Sequence, residues 1–145
     1  MNLRVLAIDY GERRIGLAVS NPGIDFVSGL PTLDRKTLRE PPARAIARIV
    51  TEREVDRVVL GIPYTMAGEE GPQAREVRAF QDELRVALTV PVDEWDERLS
   101  TEAAKTTLRA TGHTELDMKG KLDQLAAVLM LEGYLKRIRV DEGDE

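Results

Sequence analysis

The stretch that decides the fold is LRVLAIDYGERRIGLAVS, residues 3–20. Its first half is apolar on both faces, as in a strand at the centre of a sheet, and one face carries Val5, Ala7 and then Asp9. Gly11 turns the chain, and the second half alternates again, which predicts a hairpin of two antiparallel strands. A carboxylate is therefore expected at the end of a buried strand face.

The segments that follow extend this hairpin into an α/β fold. A third strand is predicted over 26–33, and two more, over 58–62 and 90–97, each follow a helical segment. Strands joined by a helical crossover lie parallel, so we expect one mixed five-stranded sheet, three antiparallel strands plus two parallel crossovers, with helices on both faces. Helices are predicted from Pro42 to about Arg53, from Pro72 onward, over about 101–110 and over about 119–137.

The composition excludes several classes of protein. The 145 residues include no cysteine and one histidine, His113, which rules out disulfides, zinc fingers and thiol catalysis. The formal net charge is −5, and residues 141–145 contain four of the 26 acids. No window approaches the ~20 apolar residues of a membrane helix, and the N-terminus has no signal-peptide pattern. We expect a cytoplasmic protein with a single domain over 1–140 and an acidic, disordered tail over 141–145.

Asp9 is the first candidate for chemistry. An ionised carboxylate at the end of a buried strand face needs a cation or several hydrogen-bond donors. It could equally cap the turn over 10–14, or pair with Arg13 or Arg14. The spacing alone leaves both interpretations open.

Two further sets of carboxylates could converge with Asp9. Four acids lie within 93–97, at the end of a strand that should be parallel to the first. They could bind a cation, which would relieve their mutual repulsion, or they could belong to a solvated loop. Asp123 has Ala126, Ala127 and Met130 at helical spacing, so it faces the core, although it would also suit the first turn of a helix that begins near Lys121. Ligands of open α/β sheets bind beyond the carboxyl ends of the strands. Such an all-oxygen set suits Mg²⁺ or Mn²⁺, and two of these ions can promote phosphodiester hydrolysis.

Five segments resemble, in order and over nearly the whole chain, those of the YqgF family. They are LAIDYGERRIGLAVS (6–20), VVLGIP (58–63), GEEGPQAREVRAF (68–80), DERLSTEAA (96–104) and KLDQLAAVLMLEGYL (121–135). Members of that family are regarded as Holliday junction resolvases or as nucleases that mature the 5′ end of pre-16S ribosomal RNA. The resemblance implies a ribonuclease H-like fold, two Mg²⁺ or Mn²⁺ ions, and Asp9, Glu97 and Asp123 as catalytic and metal-binding residues. The choice of Glu97 over Asp96 comes from the resemblance alone.

One loop departs from the family pattern. Where the family commonly reads L-P-x-N-M-D-G, this chain has IPYTMAG over 62–68, with Thr65 and Ala67 in place of an amide and a carboxylate. The predicted metal ligands are unaffected, so the departure would act on substrate choice or rate.

Basic residues near these carboxylates are candidates for binding the phosphate backbone. They are Arg13, Arg14, Arg98, Lys105, Arg109, Lys119 and Lys121. Each could equally belong to a solvated surface. Trp95 and Tyr64 could stack on bases or else pack within the protein.

The sequence therefore predicts a metal-dependent nuclease that acts on structured RNA in ribosome maturation, with pre-ribosomal particles as partners. Branched DNA is the alternative substrate, and the oligomeric state is not predicted. A non-catalytic nucleic-acid or ribosome-assembly protein could keep the same fold. The Asp-x-Gly hairpin also resembles the phosphate-binding hairpin of actin-like and sugar-kinase ATPases, but those enzymes close two such domains around the nucleotide, and one is predicted here.

Overall fold

The computed structural model describes residues 3–22, 26–99 and 115–141. These ranges contain the strands β1 (Val5–Tyr10), β2 (Arg14–Asn21), β3 (Phe26–Asp34), β4 (Arg57–Ile62) and β5 (Val92–Asp96). They also contain the helices α1 (Pro42–Glu52), α2 (Pro72–Ala87) and α3 (Glu115–Asp141), and a short 3-10 turn at Glu97–Leu99. The predicted helix over 101–110 and most of the predicted tail, residues 142–145, lie outside the described residues.

The described strands form one mixed sheet in the order β3-β2-β1-β4-β5. The strands β1, β2 and β3 pair antiparallel in sequence order, whereas β4 pairs parallel with both β1 and β5. The register places Asp9 of β1 opposite Gly16 of β2. The predicted five-stranded sheet is thus confirmed.

The two faces of the sheet are covered by different helices. Leu6 and Ile8 of β1 belong to the core that α1 and α2 complete, and Val5 and Ala7 to the core completed by α3. Because side chains alternate along a strand, Asp9 continues the face of Val5 and Ala7 and lies on the α3 side. This alternation positions the first candidate carboxylate.

The helix α3 is longer than the 119–137 predicted from sequence. It begins at Glu115, so Asp123 lies about two turns from its start. The interpretation of Asp123 as a first-turn residue is therefore wrong. Its helical neighbours Ala126, Ala127 and Met130 are buried, as predicted. No helix in the described ranges is long and apolar enough to cross a membrane.

Candidate active site

A glycine lets α3 approach the end of β1. A Cβ built on Gly16 would lie 2.1 Å from the backbone oxygen of Asp123, closer than any side chain could tolerate. Because Gly16 is the partner of Asp9 across the β1–β2 pair, this contact brings Asp123 beside Asp9. The close approach explains why a residue without a side chain is needed in the middle of β2.

A second glycine makes room for Glu97. A Cβ built on Gly61 of β4 would lie 2.6 Å from Cγ of Glu97 and 2.8 Å from Cε of Met130. Glu97 thus fills the space above Gly61, between β4 and α3. Trp95, two residues earlier in β5, belongs to the core beneath α3. Glu97, in the 3-10 turn that follows β5, lies on the same side of the sheet, because it borders the space above Gly61 together with Met130 of that core.

The neighbouring acid, Asp96, has a different partner. Its carboxylate accepts hydrogen bonds from Arg98, with Nη2 at 2.6 Å and Nε at 3.0 Å from Oδ2, and this pairing lowers the pKa of Asp96. Asp96 is thus paired with the guanidinium of Arg98, whereas Glu97 contacts Asp9. This geometry supports Glu97 over Asp96 as the site residue.

The other two acids of the 93–97 run are also bound by the protein. Asp93 accepts a hydrogen bond from the Tyr134 hydroxyl and lies 3.9 Å from Nη1 of Arg57. Glu94 accepts hydrogen bonds from Arg78 and from Nε2 of Gln81, the latter at 3.0 Å. The charges of Asp93, Glu94 and Asp96 are therefore compensated by arginine, tyrosine and glutamine side chains. Glu97, in contrast, still experiences the charge of Asp96.

The carboxyl groups of Asp9, Glu97 and Asp123 act on one another electrostatically. Burial, a hydrogen bond to Asp9 and the charges of Asp9 and Asp123 raise the pKa of Glu97 far above its usual range. Burial and the charge of Asp9 raise the pKa of Asp123 to about 7, while Arg14 acts in the opposite direction. Burial and mutual repulsion thus disfavour the ionised forms of Glu97 and Asp123, which a positive charge at the site would stabilise.

The turn beside Asp9 is stabilised by residues that sequence reasoning missed. Gly11 N donates to the Arg14 oxygen at 2.9 Å, and Nη1 of Arg35 donates to the oxygens of Gly11 and Glu12 at 2.9 and 2.8 Å. The Arg35 guanidinium also lies over the Tyr10 ring, 4.6 Å from its centroid. These contacts close the turn that Asp9 was alternatively expected to cap. Nothing local in the sequence connects Arg35 with this turn.

The candidate phosphate-binding residues are placed differently from one another. The charge of Arg14 acts on Asp123 and partly offsets the rise of its pKa. Arg13 lies 3.6 Å from Asp34, and Arg98 pairs with Asp96. Lys105 and Arg109, and the side chains of Lys119 and Lys121, lie outside the described residues.

The two candidate stacking residues also differ. Trp95 is only 9% exposed and packs in the core beneath α3, so of its two alternatives packing within the protein is confirmed and stacking on bases is not. Tyr64 is half-buried, and its hydroxyl accepts a hydrogen bond from Nη2 of Arg78 at 3.2 Å.

Comparisons with known proteins agree with this architecture. The RuvX family model, described as Holliday junction resolvase, matches residues 3–137. A protein of Chloroflexus aurantiacus named "Putative pre-16S rRNA nuclease" is 46% identical over 134 residues, which cover 90% of this chain and 85% of that protein. A protein of Anaeromyxobacter dehalogenans with the same name is 42% identical, covering 93% of this chain and 98% of its own length.

Solved structures show the same fold at lower identity. Thermus thermophilus RuvC in complex with a Holliday junction substrate superposes with a TM-score of 0.57 at 18% identity, over 94% of this chain and 96% of that chain. The predicted ribonuclease H-like fold is thereby confirmed. The family match and the identity to the two relatives show that this chain belongs to the RuvX family of Holliday junction resolvase-like nucleases, the YqgF family of the sequence resemblance.

Proposed function

We propose that this protein is a metal-dependent nuclease that hydrolyses phosphodiester bonds in structured RNA during maturation of the 5′ end of pre-16S ribosomal RNA. The observation that carries the proposal is the contact of Glu97 with Asp9 on the α3 face, with the Asp123 carboxylate close enough to act on both. Membership of the RuvX family and the names of the two bacterial relatives support the substrate.

The donor chemistry of the site fits Mg²⁺ or Mn²⁺. Asp9, Glu97 and Asp123 offer only carboxylate oxygens, the ligands that hard divalent cations prefer. Within the described ranges, however, no three His, Cys, Asp or Glu side chains form a group already arranged to hold an ion. Glu97 instead forms a hydrogen bond with Asp9, and a divalent cation would compensate the negative charges that raise the pKa of Glu97.

Asp9, Glu97 and Asp123 would hold the ions through their carboxylate oxygens. Two such ions supply an activated water and a positive charge for the leaving oxygen of the phosphodiester. The chain itself fixes the ligands: Gly61 and Met130 confine Glu97, and the close approach at Gly16 sets the position of Asp123. Arg35 keeps the adjoining turn closed, so Asp9 lies at the end of a rigid strand.

Arg13, Arg14, Arg98, Lys105, Arg109, Lys119 and Lys121 form the proposed phosphate-binding rim. Among the members whose side chains the structure describes, Arg14 acts on the Asp123 carboxylate, so we assign to it the phosphate closest to the reaction. The guanidinium of Arg98 already pairs with Asp96, so it would have to bind Asp96 and a phosphate at the same time. A cytoplasmic location and pre-ribosomal particles as partners belong to the same proposal.

The test is cleavage of a pre-16S fragment and of a four-way DNA junction, side by side, with Mg²⁺, Mn²⁺ or excess EDTA. We expect cleavage of the RNA with metal and none with EDTA. Preferential cleavage of the junction would instead make the protein a branched-DNA resolvase. Binding of both without cleavage under any metal would make it a non-catalytic nucleic-acid protein, and unchanged cleavage in EDTA would refute the metal mechanism.

A further inference from the structure

The loop between β4 and α2 forms a closed arch, residues 65–69. Thr65 N donates to the Glu69 oxygen at 2.9 Å, and Glu69 N donates back to Oγ1 of Thr65 at 3.2 Å. Gly68 N donates to the Thr65 oxygen at 2.8 Å, with Gly68 at a φ of 80°, where glycine is favoured. Met66 and Ala67 therefore lie at the tip of a hydrogen-bonded turn.

Arg78 of α2 forms hydrogen bonds with the residues on both sides of the 65–69 arch. Its Nη2 donates to the Tyr64 hydroxyl at 3.2 Å just before the arch, and its Nε donates to Oε1 of Glu70 at 3.0 Å just after it. The same guanidinium also binds Glu94 of β5. The arch is thus anchored to both the second helix and the edge strand.

The arch also contacts the residue that follows Glu97. The Arg98 guanidinium lies 5.7 Å from the centroid of the Tyr64 ring. A Cβ built on Gly68 would lie 3.3 Å from Nη1 of Arg98. Because Arg98 adjoins Glu97 and pairs with Asp96, the arch lies beside the proposed active site.

Met66 is 93% exposed at the tip of this arch. Val86 of α2 is comparably exposed at 89%, but it lies on a helix surface without such contacts to the site. The thioether side chain of methionine packs well against aromatic faces, and methionine is among the residues that proteins insert between bases. Ala67 beside it adds no charge that would repel a phosphate.

We propose that Met66 packs against a nucleobase of the bound nucleic acid, at a nucleotide next to the phosphate that is cleaved. This inference rests on the proposed nuclease function. Taking a base out of a continuous duplex costs stacking energy, whereas an unpaired base is free to meet the side chain. The substrate class is therefore nucleic acid with an unpaired base beside the cleavage position, in preference to a continuous duplex.

The test uses two synthetic RNA duplexes that differ only by a single-nucleotide bulge, with the corresponding DNA duplexes as parallel arms. Binding to full-length protein is measured by fluorescence anisotropy in EDTA, for the wild type, Met66→Ala, Met66→Phe and Val86→Ala. We expect Met66→Ala to weaken binding of the bulged duplex about tenfold and binding of the continuous duplex less than about twofold. Met66→Phe should keep the preference, and Val86→Ala should change neither affinity. The RNA and DNA arms show whether the base is read in one nucleic acid or in both.

Equal loss of affinity for bulged and continuous duplexes, or no loss for either, would overturn the inference. Thermal melts should be the same for all variants because both exposed side chains pack against little. If the wild type cleaves the pre-16S fragment while Met66→Ala keeps the wild-type preference for the bulge, this inference alone fails. If the wild type neither cleaves nor binds nucleic acid, the proposed function fails and takes this inference with it.

Discussion

Gly61→Ala tests whether the placement of Glu97 matters for the reaction. The added Cβ would lie 2.6 Å from Cγ of Glu97 and 2.8 Å from Cε of Met130, whereas carbon atoms pack at about 3.5–4.0 Å. Each contact is therefore too short by about 1 Å. The Cα of residue 61 is fixed in the sheet between β1 and β5, so the side chains must move instead.

The cheapest response is for Glu97 to rotate away from Asp9. Overpacking of this kind costs about 1–3 kcal/mol, and we expect the low end because Glu97 has a flexible side chain. In a domain of this size, that lowers the melting temperature by roughly 2–4 °C per kcal/mol. A ligand displaced by about 1 Å can cost about 100-fold in rate, so activity should fall far more than stability.

The assay is single-turnover cleavage of the pre-16S fragment with Mn²⁺, together with thermal melts with and without the metal. Gly133→Ala is the matched control, because its Cβ would lie 2.8 Å from Cη2 of Trp95 in the same core without touching Glu97. We expect similar destabilisation of both variants, with the rate lost only in Gly61→Ala. Equal losses of rate in the two variants, or a normal rate for Gly61→Ala, would refute the reasoning.

Three further predictions follow from the carboxylates. Glu97→Gln should abolish cleavage in a single-turnover assay and Asp96→Asn only reduce it, because Asp96 binds Arg98 rather than Asp9; the reverse ranking would move the site by one residue. Asp9→Asn should melt at a higher temperature than the wild type in EDTA, because it removes one of the repelling charges. Mn²⁺ at a hundredfold excess over Kd should stabilise the wild type by about 2.7 kcal/mol, and it should stabilise Asp9→Asn much less. If Asp9→Asn melts lower than the wild type in EDTA, and Mn²⁺ does not stabilise the wild type, the metal site is contradicted. In EDTA the pKa of Asp123 is raised from 3.8 to about 7 in the folded protein, so this group contributes stability below pH 3.8 that is lost as the pH rises to about 7. Asp123→Asn should flatten this fall in chemical-denaturation curves measured from pH 4 to 8, and an unchanged slope would contradict the assignment.

Much of the fold could be predicted because it depends on local pattern. The alternation along 3–20 and the glycine turn at Gly11 specify a hairpin, and a right-handed helical crossover favours a parallel strand in the same sheet. The ends of the elements were less predictable. The helix α3 begins at Glu115 rather than near Lys119, because the apolar pattern from which the helix was predicted is weak over its first residues.

The candidate carboxylate site also has one part that local sequence pattern predicts and one part that it does not. Asp9 could be found from the sequence, since a charged residue at the end of an apolar strand face is unusual wherever that strand lies. The roles of the acids at 93–97 could not be derived from their spacing. Their partners Arg57, Arg78 and Tyr134 come from β4, α2 and α3, and no local pattern connects them.

The sequence by itself determined that this chain builds a mixed sheet with a carboxylate at the end of its central strand, because strand alternation and turn residues act over a few neighbouring positions. Which of Asp96 and Glu97 contacts Asp9 is visible only in the tertiary structure. The two acids are neighbours at the end of β5, and their sequence positions do not show which one meets Asp9. That depends on Trp95 packing beneath α3 and on the room that Gly61 leaves, which are contacts between residues far apart in the chain.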